Sequence, residues 1–361
     1  MPERLTLREL RATPVNVPLT NPVHTASGTI AHAPLVLIDL LTHEGVEGRA
    51  YLFTYTPLAL KPVVSLLEAM AGILENAVLS PHELERLLDA RFRLLGNTGL
   101  VTMAIAGLDM AAWDALAHAA GMPLARLLGG GTRGVRAYFS QGMESVDRSV
   151  ELAQEALARG FKGMKIKIGH PRVEDDLAVV RAVKSCLGDR AVLFVDYNQS
   201  LSVPDALDRC RVLDEMELDW IEEPTLQHDY AGHAKIASEI RTPIQLGENY
   251  FGTHEMAKGV AAHASDLVMP DLMKIGGVSG WLRAASLADA ARLPMSSHIF
   301  QEFSAHLMTV TPTAHWLEHL DIAAPVLQQP LRIEAGMAVL NETPGAGVSW
   351  NADAVAKYRI D

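Results

Sequence analysis

Three carboxylates stand at the ends of three apolar runs, evenly spaced along the chain. Asp196 ends VLFVD, Glu222 ends DWIE and Glu248 ends IQLGE, so each lies 26 residues from the next. That interval is about the length of one strand plus one helix, and in a parallel βαβ series residues one unit apart meet at the same edge. Three unpaired carboxylates repel one another, and a hard divalent cation such as Mg²⁺ relieves that repulsion. The spacing predicts a Mg²⁺ site in preference to three separate helix caps or salt bridges.

Two lysines on one predicted strand are close enough for one of them to act as a base. In GMKIKIG, Lys165 and Lys167 are one residue apart, so on a strand both point to the same face, which in a barrel can be the interior. The apolar neighbours Met164, Ile166 and Ile168 argue against an exposed edge strand with its lysines in water. Two nearby ammonium groups repel, so one of them loses its proton more readily. The pattern predicts an amine base that works near neutral pH.

A histidine and two further carboxylates mark the later apolar runs. Asp271 ends LVMPD, and His298 lies in PMSSHIF on the next predicted strand. We expect Asp271 to bind one imidazole nitrogen and thereby to orient the other. Glu318 ends HWLE and is expected to face the same cavity, with a salt bridge to Lys274 or an arginine as the alternative.

Together these groups suit the removal of a proton next to a carboxylate. A substrate at the metal would have the lysine on one side and the histidine on the other, because the three strands with the metal ligands lie between them. Metal and cations would stabilise the enediolate, and a glutamic acid would hydrogen-bond its oxygen. Return of the proton on the opposite face gives racemisation or epimerisation, whereas loss of a β leaving group gives dehydration.

The elements that must position these residues follow two patterns. Residues 1 to about 56 are predicted to form strands, with a hairpin in VLIDLLTHEGVEGRAYLF, and the next stretch, to about residue 128, has helical periodicity. After LGGGTRG, strands and helices alternate, which predicts an α/β protein with a (β/α)8-type barrel, a modified TIM barrel. The expected units are an α+β capping domain at 1–130, the barrel at 131–322, and a C-terminal segment at 323–361 that packs back on the capping domain. The predicted barrel strands are 135–140, 163–169, 192–198, 219–224, 244–249, 267–272, 294–300 and 315–318.

Two short motifs match known patterns in an unsuitable context. GGGTRG at 129–134 has the G-x-G-x-x-G spacing of a dinucleotide site, but it follows a predicted helix and precedes a strand, which indicates a linker. HWLEH at 315–319 has the H-x-x-E-H spacing of a zinc hydrolase, which needs a helix and a third ligand. Pro312 and the predicted strand argue against this second motif, which we keep as a minor alternative.

Composition excludes several other classes of protein. The chain is 49% hydrophobic and 20% charged, so it can bury a large core. It contains no run of 18 or more uncharged apolar residues, so we expect no membrane span. The charged start MPERLTLREL lacks the apolar stretch of a secretory signal, and two cysteines, Cys186 and Cys210, fit reduced thiols in a cytoplasmic protein. A net charge of −12 argues against nucleic acid as a partner, but a bound cation can still attract a small carboxylate substrate.

Longer motifs carry a resemblance to a known family. The order K-x-K, Asp, Glu, Glu, Asp, His, Glu on successive predicted strands resembles the mandelate racemase subgroup of the enolase superfamily. The resemblance runs nearly end to end, through NPVHTASGT, YLFTYTP, VDYNQSL, WIEEPTLQHDY, MKIGGVSGW, MSSHIFQEFSAHL and TPTAHWLE. It implies a capping domain whose mobile loops close over the site, and a homo-oligomer, often an octamer.

The resemblance also implies a role for each site residue. The implied Mg²⁺ ligands are Asp196, Glu222 and Glu248. Lys167 would be the base for the S-enantiomer, with Lys165 lowering its pKa and contacting the carboxylate. His298, paired with Asp271, would be the base for the R-enantiomer. Glu318 would be the acid that hydrogen-bonds the substrate carboxylate.

Substrate choice is expected to lie in the capping loops. The residues implied to form an apolar pocket are Val23, Ile30, Phe53 and Tyr55, and those implied to contact the substrate or the metal region are Asn198 and Ser140. The chain departs from the family pattern at Ser27, Phe139, Gln141 and Gly142. An apolar pocket suits an aryl or alkenyl group, so we expect a Mg²⁺-dependent racemase of an α-hydroxy acid, mandelate or a close relative. An acid-sugar dehydratase on the same scaffold is the alternative, and a non-catalytic binding protein has no support because every residue that the chemistry needs is present.

Overall fold

The N-terminal part of the chain is built on an antiparallel sheet. The computed structural model describes residues 4–26, 28–340 and 342–360. The sheet has the order β1-β2-β3. Its strands are β1 (Leu7–Thr25), β2 (Gly28–Thr42) and β3 (Glu47–Phe53). The predicted hairpin is confirmed, because β2 and β3 pair from Leu35 with Phe53 to Leu41 with Glu47 around the polar turn.

Four helices follow this sheet, and the first and third of them pack on its strands. They are α1 (Leu60–Ile73), α2 (Pro81–Phe92), α3 (Leu100–Ala120) and α4 (Leu124–Leu127). Within the described ranges, α3 is the one helix long and apolar enough to span a membrane, and 83% of its most apolar window is buried inside the protein. It packs closely on β3, because a Cβ on Gly48 would overlap with the carbonyl oxygen of Ala111.

The second part of the chain is a barrel of parallel strands. They are β4 (Val135–Ser140), β5 (Gly163–Lys167), β6 (Val192–Asp196), β7 (Trp220–Glu222), β8 (Ile244–Leu246), β9 (Leu267–Val268) and β10 (Leu317–His319). Each strand from β4 to β9 pairs with the next in parallel, and β10 pairs with β4, as closure of a barrel requires.

The predicted strand at 294–300 is wrong as a regular strand. Met295 forms single parallel bridges with Val268 and with Ala314, and His298 forms one with Asp271. The extended run then stops because the next two residues, Ile299 and Phe300, have positive φ angles of 37° and 47°. The position of this segment in the barrel is as predicted, but its pairing with the neighbouring strands consists of isolated bridges and not of a regular ladder.

Helices cover the outside of the barrel. They are α5 (Val146–Ala158), α6 (Val173–Leu187), α7 (Val203–Leu213), α8 (Tyr230–Glu239), α9 (Thr253–Ala261), α10 (Leu272–Ile275), α11 (Gly277–Ala291) and α12 (Gln301–Met308). The amphipathic α5 shows how they form: Ser145 caps its N-terminus, and Leu152 and Ala156, four residues apart, are buried. After β10, the C-terminal segment begins with a short 3₁₀ turn at Ala324–Val326.

The C-terminal segment contacts both units. Its hairpin, β11 (Arg332–Glu334) and β12 (Met337–Val339), pairs with β4 of the barrel. Its last helix, α13 (Ala352–Tyr358), lies beside β1, and Trp350 donates a hydrogen bond to Asp39 on β2 at 2.9 Å. The end of this segment therefore packs on the capping sheet, whereas its hairpin extends the barrel sheet.

An aromatic layer fills the barrel below the level of the metal-binding carboxylates. Its aromatic members are Tyr138, Phe194, Trp220 and Trp316, and the aliphatic Leu267 packs with them. The rings of Phe194 and Trp220 stack with centroids 3.4 Å apart. Each lies two residues before a predicted metal ligand, so ring and carboxylate point to the same face of the strand. Gly163 leaves room for this layer, because a Cβ there would be 2.8 Å from the Phe194 ring.

Candidate active site

The three evenly spaced carboxylates meet at the carboxyl ends of β6, β7 and β8. Oxygen atoms of Asp196, Glu222 and Glu248 all lie within 4.8 Å of one another, and the three residues are buried. Cα register aligns the first two directly, because Asp196 is opposite Glu222. Gly247, with a φ of 139°, turns the chain before Glu248, at a point where a Cβ would be 2.9 Å from the backbone of Met269.

The electrostatics of this cluster fit a divalent cation. Burial raises the pKa of Glu222; the Lys165 ammonium opposes the shift, and the charges of Asp196 and Glu248 add to it. Crowded carboxylates of this kind are destabilised unless a positive charge lies between them. They offer hard oxygen donors from three separate side chains, which is the donor set that Mg²⁺ prefers. The site therefore fits the ion predicted from the spacing.

The two lysines lie inside the barrel, each against a carboxylate. Lys165 Nζ is 2.6 Å from Glu222 Oε1 and 2.9 Å from Glu318 Oε1, and Lys167 Nζ is 2.5 Å from Asp196 Oδ2. The interior placement predicted from the K-x-K pattern is therefore observed, and both side chains are buried.

The expected lowering of the pKa of Lys167 is not the net result in this arrangement. Burial and the neighbouring Lys165 both lower the pKa of Lys167, but the charges of Asp196, Glu248 and Glu222 together outweigh them and the pKa is raised. The pKa of Lys165 is raised well above its usual value, because Glu222 and Glu318 outweigh its burial. A divalent cation among the carboxylates offsets their charge, which moves the pKa of both lysines downward.

The histidine and its aspartate form the predicted pair. His298 Nδ1 lies 2.8 Å from Asp271 Oδ2, and the other nitrogen, Nε2, lies 3.2 Å from Glu248 Oε2. Burial lowers the pKa of His298, but Glu248 and Asp271 together outweigh it, and the pKa is raised. Asp271 also accepts a hydrogen bond from the backbone of Lys274 at 2.9 Å, so it caps α10 as well as orienting the imidazole.

Glu318 faces the same interior, with a different partner from the one considered above. It pairs with Lys165, while its Oε2 accepts a hydrogen bond from the Ile299 amide at 3.0 Å. The alternative salt bridge with Lys274 is therefore wrong. Burial raises the pKa of Glu318, but Lys165, His298 and the Ile299 amide outweigh it, and the pKa is lowered. The carboxylate is thus ionised here, and the expected acid form requires another negative charge beside it.

A cavity of about 340 Å³ lies over these groups. Eight of the residues predicted for the site line it: Val23, Ile30, Phe53, Tyr55, Lys167, Asn198, Glu248 and His298. Ser140 does not line it; with Phe139, Gln141 and Gly142 it lines a neighbouring cavity of about 190 Å³ that shares Val23 and Leu320 as walls. Ser27 lies outside the described residues.

Three polar residues at this rim were not predicted as site residues from the sequence, and one of them, Lys274, was considered only as a salt-bridge partner of Glu318. Asn249 donates to both oxygens of Glu223, at 2.9 and 3.0 Å, and accepts from Lys274 at 2.7 Å. Lys274 is buried with its ammonium 4.4 Å from the centre of the Tyr55 ring. A signal for two of them was available, because Glu223 and Asn249 are 26 residues apart and each follows a metal ligand directly.

Several residues of the site hold the backbone in the left-handed region, where side chains other than glycine are strained. They are Tyr55, Asn198, Gln199, Glu223 and Ile299, with φ angles of 57°, 44°, 64°, 38° and 37°. Such outliers persist where the surrounding contacts fix them, and they concentrate at functional sites. Their clustering around one cavity is independent support for a functional site there.

The zinc motif does not form a metal site. Leu317–His319 is a strand, so Glu318 points away from its neighbour His319. Burial lowers the pKa of both His315 and His319 to about 4, with Arg136 and Arg159 adding to the shifts. Within the described ranges, the one group of metal-ligating side chains is the carboxylate triad. The GGGTRG run lies between α4 and β4 with no helix or strand of its own, consistent with a linker.

Comparison with known proteins identifies the class to which this fold and site belong. Residues 7–129 match the family model of the mandelate racemase / muconate lactonizing enzyme N-terminal domain, and residues 148–354 match that of the enolase C-terminal domain-like family. The protein therefore belongs to the enolase superfamily, and within it to the mandelate racemase subgroup. It is a Mg²⁺-dependent enzyme of that superfamily.

Individual relatives differ in the reactions named for them. The crystal structure of an enolase from Bradyrhizobium, complexed with magnesium and mandelic acid, is 45% identical, with full coverage of both chains and a TM-score of 0.97. L-talarate/galactarate dehydratase of Salmonella typhimurium is 32% identical over 72% of this chain and 66% of its own length. N-succinylamino acid racemase of Thermus thermophilus is 28% identical over 96% of this chain and 94% of its own.

Proposed function

We propose that the protein is a racemase of an α-hydroxy acid, mandelate or a close aryl or alkenyl relative, that moves one proton between two bases. The observation that carries the proposal is the placement of those bases at the two ends of the carboxylate triad. Lys167 contacts Asp196 at one end, and His298 contacts Glu248 at the other. Both line the same cavity, so a substrate there has a base on either side.

Each residue around the bases has a distinct task. Asp196, Glu222 and Glu248 would hold Mg²⁺, and the bound ion would stabilise negative charge on the carboxylate oxygens of the substrate. Lys165 adds a fixed positive charge beside the same oxygens. Glu318 becomes the hydrogen-bonding acid once the substrate carboxylate is bound, because a second negative charge beside it raises its pKa.

The proton then crosses between the two faces of the substrate. For the S-enantiomer, Lys167 as neutral amine takes the α-proton, and the electron pair passes into the carboxylate to give the enediolate. The protonated imidazole of His298 returns a proton from Nε2 to the opposite face and gives the R-enantiomer. The reverse reaction uses His298 as base and Lys167 as acid. Asp271 is hydrogen-bonded to Nδ1 of His298, so Nε2 is the nitrogen that exchanges the proton with the substrate.

The apolar wall of the cavity supports an aryl or alkenyl side group. Its apolar lining residues include Leu19, Val23, Ile30, Phe53, Leu320 and Ile322. The mandelic acid in the 45% identical enolase points in the same direction. Acid-sugar dehydration is the second candidate, because a 32% identical relative is a dehydratase and because Asn198, Gln199 and Asn249 supply polar groups to the cavity.

One pair of variants tests the two-base assignment. Lys167→Ala should abolish exchange of the α-proton of the S-substrate, and His298→Asn should abolish that of the R-substrate, because each variant lacks the base for one face. Lys162→Ala is a matched control, since Lys162 is exposed and lies outside the cavity. If either variant still processes both enantiomers at the wild-type rate, the assignment is wrong. Formation of 2-keto acids from a panel of sugar acids, detected with semicarbazide, would identify a dehydratase instead.

We also propose that the protein is a cytoplasmic homo-oligomer, in keeping with the octamer that the resemblance implies. Exposed apolar side chains support an assembly: Leu58, Leu94 and Leu95 are 86%, 103% and 73% exposed in the single chain. Burial of such residues at subunit contacts removes apolar surface from water. Sedimentation velocity measures the assembly directly, and a monomer at micromolar concentration would contradict this proposal.

A further inference from the structure

Tyr51 connects the capping sheet to the segment that carries the active-site histidine. It lies on β3, is fully buried, and donates a hydrogen bond to Glu302 Oε2 at 2.6 Å. Its ring stacks on Phe300, with centroids 5.2 Å apart and planes inclined by 29°. These two contacts follow His298 by two and four residues. One side chain of the capping domain therefore contacts the turn that begins at the histidine.

That turn needs outside support. Ile299 and Phe300 both have positive φ angles, a conformation that costs energy for residues with a Cβ and persists only where other contacts fix it. Barrel residues supply two such contacts. The Ile299 amide donates a hydrogen bond to Glu318 at 3.0 Å, and the Ser304 hydroxyl donates one to the Ile299 carbonyl at 3.1 Å. Tyr51 supplies the contacts on the other side, from a different domain.

The Tyr51–Glu302 pair is suited to hold this position. Burial and the nearby Glu302 raise the pKa of Tyr51 well above its usual value, so its hydroxyl remains a donor. Burial raises the pKa of Glu302 to about 7, with the hydrogen bond from Tyr51 opposing the shift. Two residues further along β3, Phe53 forms part of the cavity wall. The same strand thus touches both the substrate cavity and the segment of the histidine.

We propose that Tyr51 is a positioning residue for His298: it holds the imidazole where proton transfer on its face of the substrate is possible. This inference rests on the proposed function, in which His298 serves the R-enantiomer. It adds that the capping domain sets the reactivity of one base only. Lys167 lies on β5 and contacts Asp196 within the barrel, so its position is independent of Tyr51.

Tyr51→Phe provides the test, because it keeps the ring and its stack and removes only the hydroxyl. Proton exchange of R- and S-mandelate in D₂O with Mg²⁺ is followed by NMR. We expect exchange from the R-enantiomer to fall about tenfold, since displacements of about 1 Å can cost about 100-fold. Exchange from the S-enantiomer should stay within about twofold of wild type, because its base does not depend on the turn.

Two further variants act as controls. Glu302→Gln keeps a carbonyl oxygen to accept from Tyr51, and most of the exchange from the R-enantiomer should be retained. Tyr230→Phe removes a hydrogen bond of the same kind, 2.8 Å from Tyr230 to Glu255 on the outer helices, and should change neither exchange rate. Circular dichroism confirms that each variant is folded under the assay conditions.

Each result decides between the alternatives. A selective loss for the R-enantiomer supports the positioning role, whereas an equal loss for both enantiomers, or no loss, overturns it. If the wild-type protein exchanges neither enantiomer, the racemase proposal fails, and the positioning role is then tested without activity. In that case the imidazole ¹⁵N resonances of His298 are compared between wild type and Tyr51→Phe: a shift supports the role, and unchanged resonances overturn it.

Discussion

Replacement of Asp271 by asparagine should disable one base and spare the other. Asp271 Oδ2 lies 2.8 Å from His298 Nδ1, and its Oδ1 caps α10. Asparagine is nearly isosteric and also caps helices, so the fold should persist. The substitution replaces a charge-assisted hydrogen bond by a neutral one. Hydrogen bonds to charged groups contribute about 1.5–3 kcal/mol. If that whole contribution supports the reactive imidazole, exchange from the R-enantiomer should fall about 10- to 150-fold, at about 1.4 kcal/mol per factor of ten.

The assay compares the two enantiomers in the same protein preparation. Exchange of the α-proton into D₂O is measured by NMR for R- and S-mandelate with Mg²⁺ at saturating substrate. The S-enantiomer serves as the internal control, because Lys167 pairs with Asp196, and among the described residues no hydrogen bond or ion pair joins Lys167 to Asp271. A parallel loss for both enantiomers, with unchanged circular dichroism, would show that Asp271 serves the whole site and not His298 alone.

Three further predictions concern the metal and the fold. Mg²⁺ should raise the melting temperature of the wild type, because binding at 100 times the dissociation constant adds about 2.7 kcal/mol to the free energy of unfolding; Glu248→Gln should reduce this rise in melting temperature, and an equal rise in both proteins would contradict the ligand assignment. Gly48→Ala should destabilise by about 1–3 kcal/mol in urea unfolding because of its overlap with Ala111, whereas Gly72→Ala on α1, with open space around it, should not destabilise. Burial raises the pKa of Asp109 to about 7 in the folded protein, so the folded state binds this proton more tightly than the unfolded chain does. The resulting contribution to the free energy of unfolding is complete below pH about 4 and is lost as pH rises toward 7. Asp109→Asn mimics the protonated acid beside Ser279, and its stability relative to wild type should increase between pH 5 and 8; a constant difference would argue against the raised pKa.

The sequence was sufficient for the barrel and the metal triad because both depend on periodicity. Strand–helix alternation predicts the parallel barrel, and a common 26-residue interval places Asp196, Glu222 and Glu248 at one rim. The K-x-K alternation placed both lysines inside for the same reason, since side-chain direction on a strand follows residue parity.

Other features depend on contacts between distant segments and could not be derived in this way. The run at 294–300 has the composition of a strand, but positive φ angles at Ile299 and Phe300 end it early. The contact between Lys274 and the Tyr55 ring could not be predicted from the sequence, because the two residues come from different domains. The net pKa of Lys167 likewise follows from the 2.5 Å contact with Asp196 and not from the neighbouring lysine alone.

The main proposal is that one cavity holds two bases that act on opposite faces of an α-hydroxy acid. Its most direct test is proton NMR of R- and S-mandelate with the wild-type enzyme and Mg²⁺ in D₂O, alongside polarimetry. We expect loss of the α-proton signal from both enantiomers together with decay of the optical rotation. Exchange from neither enantiomer would contradict the claim for mandelate, and 2-keto acid formation from a sugar acid in parallel samples would assign the site to dehydration.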